Sequence, residues 1–109
     1  MVTWNNLDKL ASYQELKDTA RVNLAEVMSG ENGAARVKNY SIPMAAGFTY
    51  NYAAKAVDDK VLAALVKLAD EAQLAEKFKE LYNGAVINTG ENRLVLHQLT
   101  RGQLGDAVK

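Results

Sequence analysis

The 109-residue sequence has no cysteine and a single histidine, His97. Disulfides, thiolate metal sites and a cysteine nucleophile are therefore excluded, and histidine chemistry has one residue to rest on. Pro43 is the only proline, so no proline-rich linker divides the chain. Neither sign of charge is in excess, because thirteen Lys and Arg offset thirteen Asp and Glu. No net field favours nucleic acid or an anionic membrane. Long apolar runs are also missing. The longest mostly apolar stretch, 61–69, contains Lys67 and is far too short to cross a bilayer. The N-terminus, MVTWNNLDKLASYQEL, lacks the basic start and apolar run of a secretory signal. These absences predict a soluble, cytoplasmic chain with neither nucleic acid nor membrane as partner and with no cofactor.

What is present is ordinary for a globular protein: 49% hydrophobic and 24% charged residues, in a length that can build one core. Leu7, Leu10, Ala11, Leu16, Ala20, Leu24 and Val27 recur at helical spacing. They predict a first helix over 7–28, capped by Asn5 or Asn6 and closed by Gly30 or Gly33. Residues 36–42 and 48–52 are richer in β-branched and aromatic types. The alternation Phe48-Thr49-Tyr50-Asn51-Tyr52 predicts a two-stranded hairpin with Pro43 in its turn or at an edge. Asp58 or Asp59 should open a second helix that carries Leu62, Leu65, Val66 and Ala69 inward as far as 71 or 72. A third helix, 74–82, places Leu74, Phe78 and Leu81 on one face before Asn83 and Gly84 stop it. Residues 85–88 should be extended, 89–92 should turn, and 93–99 should form a last helical segment. The predicted fold is mainly α with a small β-hairpin (α+β), with about four helical segments in a single compact domain over 1–101. Residues 102–109 are expected to be a flexible tail.

Few residues could do chemistry. His97 could act as a general base or ligand, but it lies in the apolar run Val95-Leu96-His97-Gln98-Leu99 without a second histidine or paired carboxylate nearby. A half-buried histidine bonded to backbone or carboxylate is the preferred reading. Glu91 and Arg93 could move a proton and hold an anion. The preferred alternative is a capping carboxylate and an arginine that clamps the adjoining loop. Arg101 could reach a phosphate, or merely solvate a face. Gly30, Gly33 and Gly47 lack the spacing of a phosphate loop. Tyr40, Phe48, Tyr50 and Tyr52 could stack on bases, but with little basic interleaving a hairpin core is preferred. Trp4 is read as a packing anchor.

Residues 87–101, reading INTGENRLVLHQLTR, resemble a block near the N-terminus of glucose-6-phosphate isomerases. The pattern there is roughly I-N-x-T-E-x-R-x-V-L-H-x-x-x-R. Ile87, Asn88, Glu91, Arg93, Val95, Leu96, His97 and Arg101 fall in register with it. The likeness extends back through LAALVKLADEAQLA at 62–75 and FKELYNGAVI at 78–87, to cover roughly 40–101. Asn51, Ala53, Ala54 and Gly90 depart from the family pattern. The resemblance implies an enzyme several hundred residues long. Such an enzyme interconverts glucose 6-phosphate and fructose 6-phosphate, in glycolysis and gluconeogenesis, through ring opening and a cis-enediol. The family's proton-moving glutamate, its ring-opening histidine and lysine, and its phosphate-binding loops all lie C-terminal to this block. The resemblance therefore carries over no catalytic or substrate-binding residue. It implies structural roles for Asn88, Glu91, Arg93, His97 and Arg101, and an inactive chain when taken alone. The implied partners are the remaining sugar-phosphate-binding domains, packed on large exposed apolar patches. A homo-oligomer through the same apolar surface is left open. Two other readings stand beside this one: a free-standing helical protein-binding module, and a small enzyme using Glu91, Arg93 and His97.

Overall fold

The computed structural model describes residues 2–100, in which one mainly α body carries two small antiparallel hairpins. Its centre is helix α4 (Asp59–Glu71), against which both α1 (Ala11–Asp18) and α5 (Leu74–Tyr82) pack. Helix α4 begins where expected. The Asp58 carboxylate accepts from Val61 N at 2.8 Å, and Asp59 adds a negative charge at the positive end of the helix. Gln73, at φ 56°, turns the chain sharply into α5. Asn83 and Gly84 (φ 85°) end α5, again as expected.

Helix α1 lacks a capping side chain of its own, because Leu10 stands at its N-cap. The missing acceptor comes from the far end of α4. The Glu71 carboxylate accepts from Ala11 N at 3.3 Å, from Ser12 N at 2.8 Å and from the Ser12 hydroxyl. These bonds, those from Ser12 first, hold the Glu71 carboxyl below the usual carboxylate range. One turn further along both helices, Lys67 and Glu15 form an exposed ion pair at 2.9 Å. The N-terminal arm is strapped across the α4–α5 junction, with Thr3 N donating to Gln73 Oε1 at 2.8 Å and the Lys77 ammonium 4.9 Å from the Trp4 ring centre.

The expected helix over 7–28 is not continuous. A 3-10 turn (Leu7–Lys9), α1, an extended link at 19–23 and a short α2 (Leu24–Val27) replace it. Polar side chains explain the break. The Thr19 hydroxyl bonds back to Glu15 O at 2.8 Å, and Asn23 caps α2 by accepting from Ala25 N at 3.1 Å. Asn5 and Asn6 make no side-chain cap for the first turn either. The 29–33 stretch does not close a helix; it opens α3 (Gly30–Asn39), with Gly30 at φ 58°. Helix therefore extends into the 36–42 segment expected to be a strand, helped by the good helix formers Ala34, Ala35, Arg36 and Lys38.

The first hairpin is shorter than expected but present, with β1 (Ser41–Pro43) and β2 (Thr49–Asn51) in the register Ile42↔Tyr50. Ala46 (φ 59°) and Gly47 (φ 77°) turn the loop between them. Pro43 lies at the end of a strand that has only one neighbour, where its missing donor costs nothing. Tyr52 stacks on Tyr40 with ring centres 4.9 Å apart. The Tyr40 hydroxyl donates to Asp59 at 3.1 Å, and partial burial together with that carboxylate pushes its pKa up.

The last helical segment is also corrected. Residues 86–94 form a second hairpin, β3 (Val86–Asn88) against β4 (Arg93–Leu94), with an irregular register between them. Only His97–Thr100 is helical, as a 3-10 turn. Asn88 and Asn92 (φ 54°) are turn formers, and they close the chain on itself before a helix can start. The expected inward stripes are only partly inward. Leu62, Ala69 and Leu81 are half-buried, but Val66 is 59% exposed, Leu74 60% and Phe78 63%, and Leu65 is also exposed. Among the described residues the only buried apolar side chains are alanines: Ala53, Ala64 and Ala72. The Cα radius of gyration is 17.9 Å and the extents are 53 × 37 × 19 Å. A close-packed domain of this size has a radius of gyration of about 13 Å. The expected tail at 102–109 and Arg101 lie outside the described residues.

Candidate functional site

Three of the candidate residues, Asn88, Glu91 and Arg93, meet at the tip of the second hairpin. Asn88 is the organiser: its Oδ1 accepts from Glu91 N at 3.2 Å, closing the turn, and its Nδ2 donates to Glu91 Oε2 at 3.1 Å. The same carboxylate oxygen lies 3.9 Å from Arg93 Nη1. The Arg93 and Glu91 side chains remain 75% and 62% exposed, so this ion pair sits in water and has little energetic weight. Asn88, Glu91 and Arg93 are thus brought together as the buttress of a turn.

His97 is not with them. It is exposed rather than half-buried, because the 3-10 turn that replaces the expected helix faces it outward. Its backbone carbonyl accepts from the Thr100 hydroxyl at 2.9 Å. The side chain lines an open concavity of about 560 Å³ with Phe78, Leu81, Tyr82, Val95 and Gln98. Neither Glu91 nor Arg93 lines it, so no triad of the three exists in this arrangement. Among the described residues no group of three His, Asp or Glu side chains could hold a metal ion. No described helix is long and apolar enough to cross a membrane.

Other residues carry more of the structure than these candidates. Arg36 is 8% exposed and donates Nε to Ala53 O at 2.7 Å and Nη2 to Lys55 O at 2.8 Å and to Val57 O. Its guanidinium also lies 4.5 Å from the Tyr40 ring centre. Gln98 ties the last turn to α5 by donating to Leu81 O at 3.1 Å, while its buried Oε1 has no partner among the described residues. No local spacing announces either residue, since their acceptors lie 17 or more positions away along the chain.

The comparisons agree with the motif at 87–101. The family model for phosphoglucose isomerase matches residues 51–109. A glucose-6-phosphate isomerase of Treponema denticola is 52% identical over 110 residues, covering 96% of this chain and 21% of its own length. That of Treponema pallidum is 46% identical over 100 residues, covering 92% and 19%. That of Borreliella burgdorferi is 39% identical over 109 residues, covering 99% and 20%. The chain therefore spans about a fifth of the length of the curated relatives it matches. With more than half of its residues matched by the family model, and the Asn88, Glu91 and Arg93 turn inside that match, the chain belongs to the phosphoglucose isomerase family.

Proposed function

We propose that this chain serves as the N-terminal, non-catalytic part of a glucose-6-phosphate isomerase, an enzyme that interconverts glucose 6-phosphate and fructose 6-phosphate. The observation that carries the reading is the identity of the buried apolar side chains, all of them alanine among the described residues. A body that leaves Leu74, Phe78, Phe48 and Val66 in water has its larger side chains arranged for a surface supplied from elsewhere. Aldose–ketose isomerisation needs a carboxylate poised over the substrate and donors around a phosphate. Glu91 instead buttresses a turn, and His97 stands apart from it. On this reading Asn88, Glu91 and Arg93 shape the second hairpin, and sugar-phosphate binding belongs to the rest of the enzyme.

The test is an assay of the purified chain, with glucose 6-phosphate formation from fructose 6-phosphate coupled to a dehydrogenase. No turnover above buffer is expected. Turnover that titrates with the protein and disappears in Glu91→Gln or His97→Ala would overturn the reading and place the chemistry in this segment.

A further inference from the structure

We propose that the face of α5 presenting Leu74 and Phe78 is the seat for the polypeptide that follows this segment in the full-length isomerase. This rests on the reading above and adds the surface through which the segment is held. Leu74 and Phe78 are four residues apart on one helix and so lie on the same face. Both are more than half exposed.

Phe78 stands between two open concavities. One, of about 730 Å³, is lined by Ala69, Leu74 and Ala75 on its apolar side, with Glu76 and Lys79 among its polar members. The other is the concavity of His97 and Gln98. An apolar centre with charges of both signs at its edge suits a protein surface better than a small anion or a lipid.

The path of the chain identifies the occupant. Thr100 lines the second concavity beside Phe78, so the chain that follows it is joined at the edge of this face. The relatives are about five times as long as the region matched. A continuation tethered at that edge is present at a high effective concentration, which an independent second copy has to compete against.

The test uses the absence of cysteine from this chain. A chimera is made in which the chain replaces the matching region of the Treponema denticola isomerase. It is made without substitution, with Phe78→Cys, and with Lys60→Cys at the exposed start of α4. Thiol alkylation is followed peptide by peptide by mass spectrometry, in the native enzyme and in urea.

In an active chimera, the thiol at position 78 should lose most of its reactivity until urea is added, while the thiol at position 60 reacts in both conditions. Equal native reactivity at the two positions in an active chimera would overturn the docking face and leave the proposed function standing. An unsubstituted chimera without isomerase activity would overturn both. If position 78 in the separate 109-residue chain becomes protected as chain concentration rises, the occupant is a second copy and the proposal fails.

Discussion

Arg36 shows what one side chain does in a body with almost no apolar interior. The 53–57 loop turns its Ala53, Lys55 and Val57 carbonyls inward, and none of the three enters a strand ladder. A buried carbonyl without a donor is costly; Lys55 O also accepts from Val57 N at 2.8 Å, so Arg36 matters most to Ala53 O and Val57 O, which it meets with a planar fork that also packs on Tyr40. A lysine has the charge but not the geometry. Arg36→Lys is therefore expected to destabilise the fold by about 2 kcal/mol, read as a lowered midpoint in thermal unfolding. A loss under roughly 0.5 kcal/mol would mean that water serves those carbonyls equally well. Nothing in the sequence points to this role. In the sequence Arg36 only opens a segment expected to be a strand, and its partners lie 17 to 21 residues further on.

At the scale of elements, ends that coincide with a break in the apolar spacing were legible, and ends set inside that spacing by a polar side chain were not. The start of α4 at Asp58 and the stop of α5 at Asn83 and Gly84 depend on bonds within a few residues, and both were readable. The break in 7–28 was not, because apolar spacing there is compatible with one helix and the outcome turns on Thr19 and Asn23 bonding backbone groups. Of the second hairpin, the extended 85–88 and the turn at 89–92 were readable; the return strand Arg93–Leu94, expected to be helical, was not.

Two elements yield predictions. Helix α1 is capped from 59 residues away by Glu71, whose pKa is lowered in the fold. A carboxyl with a depressed folded pKa contributes its full stabilisation above its ordinary value near 4.5, and loses it as pH falls through the lowered value. Amide exchange at Ala11 and Ser12 should accelerate across that acid window. Glu71→Gln should exchange faster at neutral pH and lose the acid dependence; an unchanged acid profile in the variant would assign the effect to another group.

Gly33 is the second case. A Cβ there would lie 2.2 Å from Met28 O, a backbone atom that cannot swing away. Alanine favours helix over glycine by about 1 kcal/mol, yet the clash should outweigh this, and we expect Gly33→Ala to be destabilising by about 1–3 kcal/mol. A raised unfolding midpoint would show that the α2–α3 junction opens freely.

At the scale of the whole molecule, the sequence told more about kinship than about shape. Its mainly α character with a small hairpin and its family were legible, the first from periodicity and the second from the ordered motifs between 40 and 101. The apolar spacing of α5 correctly marked one face, but spacing does not say whether that face finds a partner within the chain. Leu74 and Phe78 remain more than half exposed.

The smallest extent, 19 Å, has a consequence of its own. Two stacked helices fill that thickness, so hardly any backbone in this body lies deeper than one helix from a boundary. Such a slab behaves like cladding on a wall. On the docking face proposed above, the α5 side can change only in step with the polypeptide seated on it, while the opposite side is free to drift with solvent as the judge. Substitutions in this segment should thus divide by side rather than by depth, and the register of change along α5 should follow the helical turn of Leu74 and Phe78 rather than the distinction between core and surface.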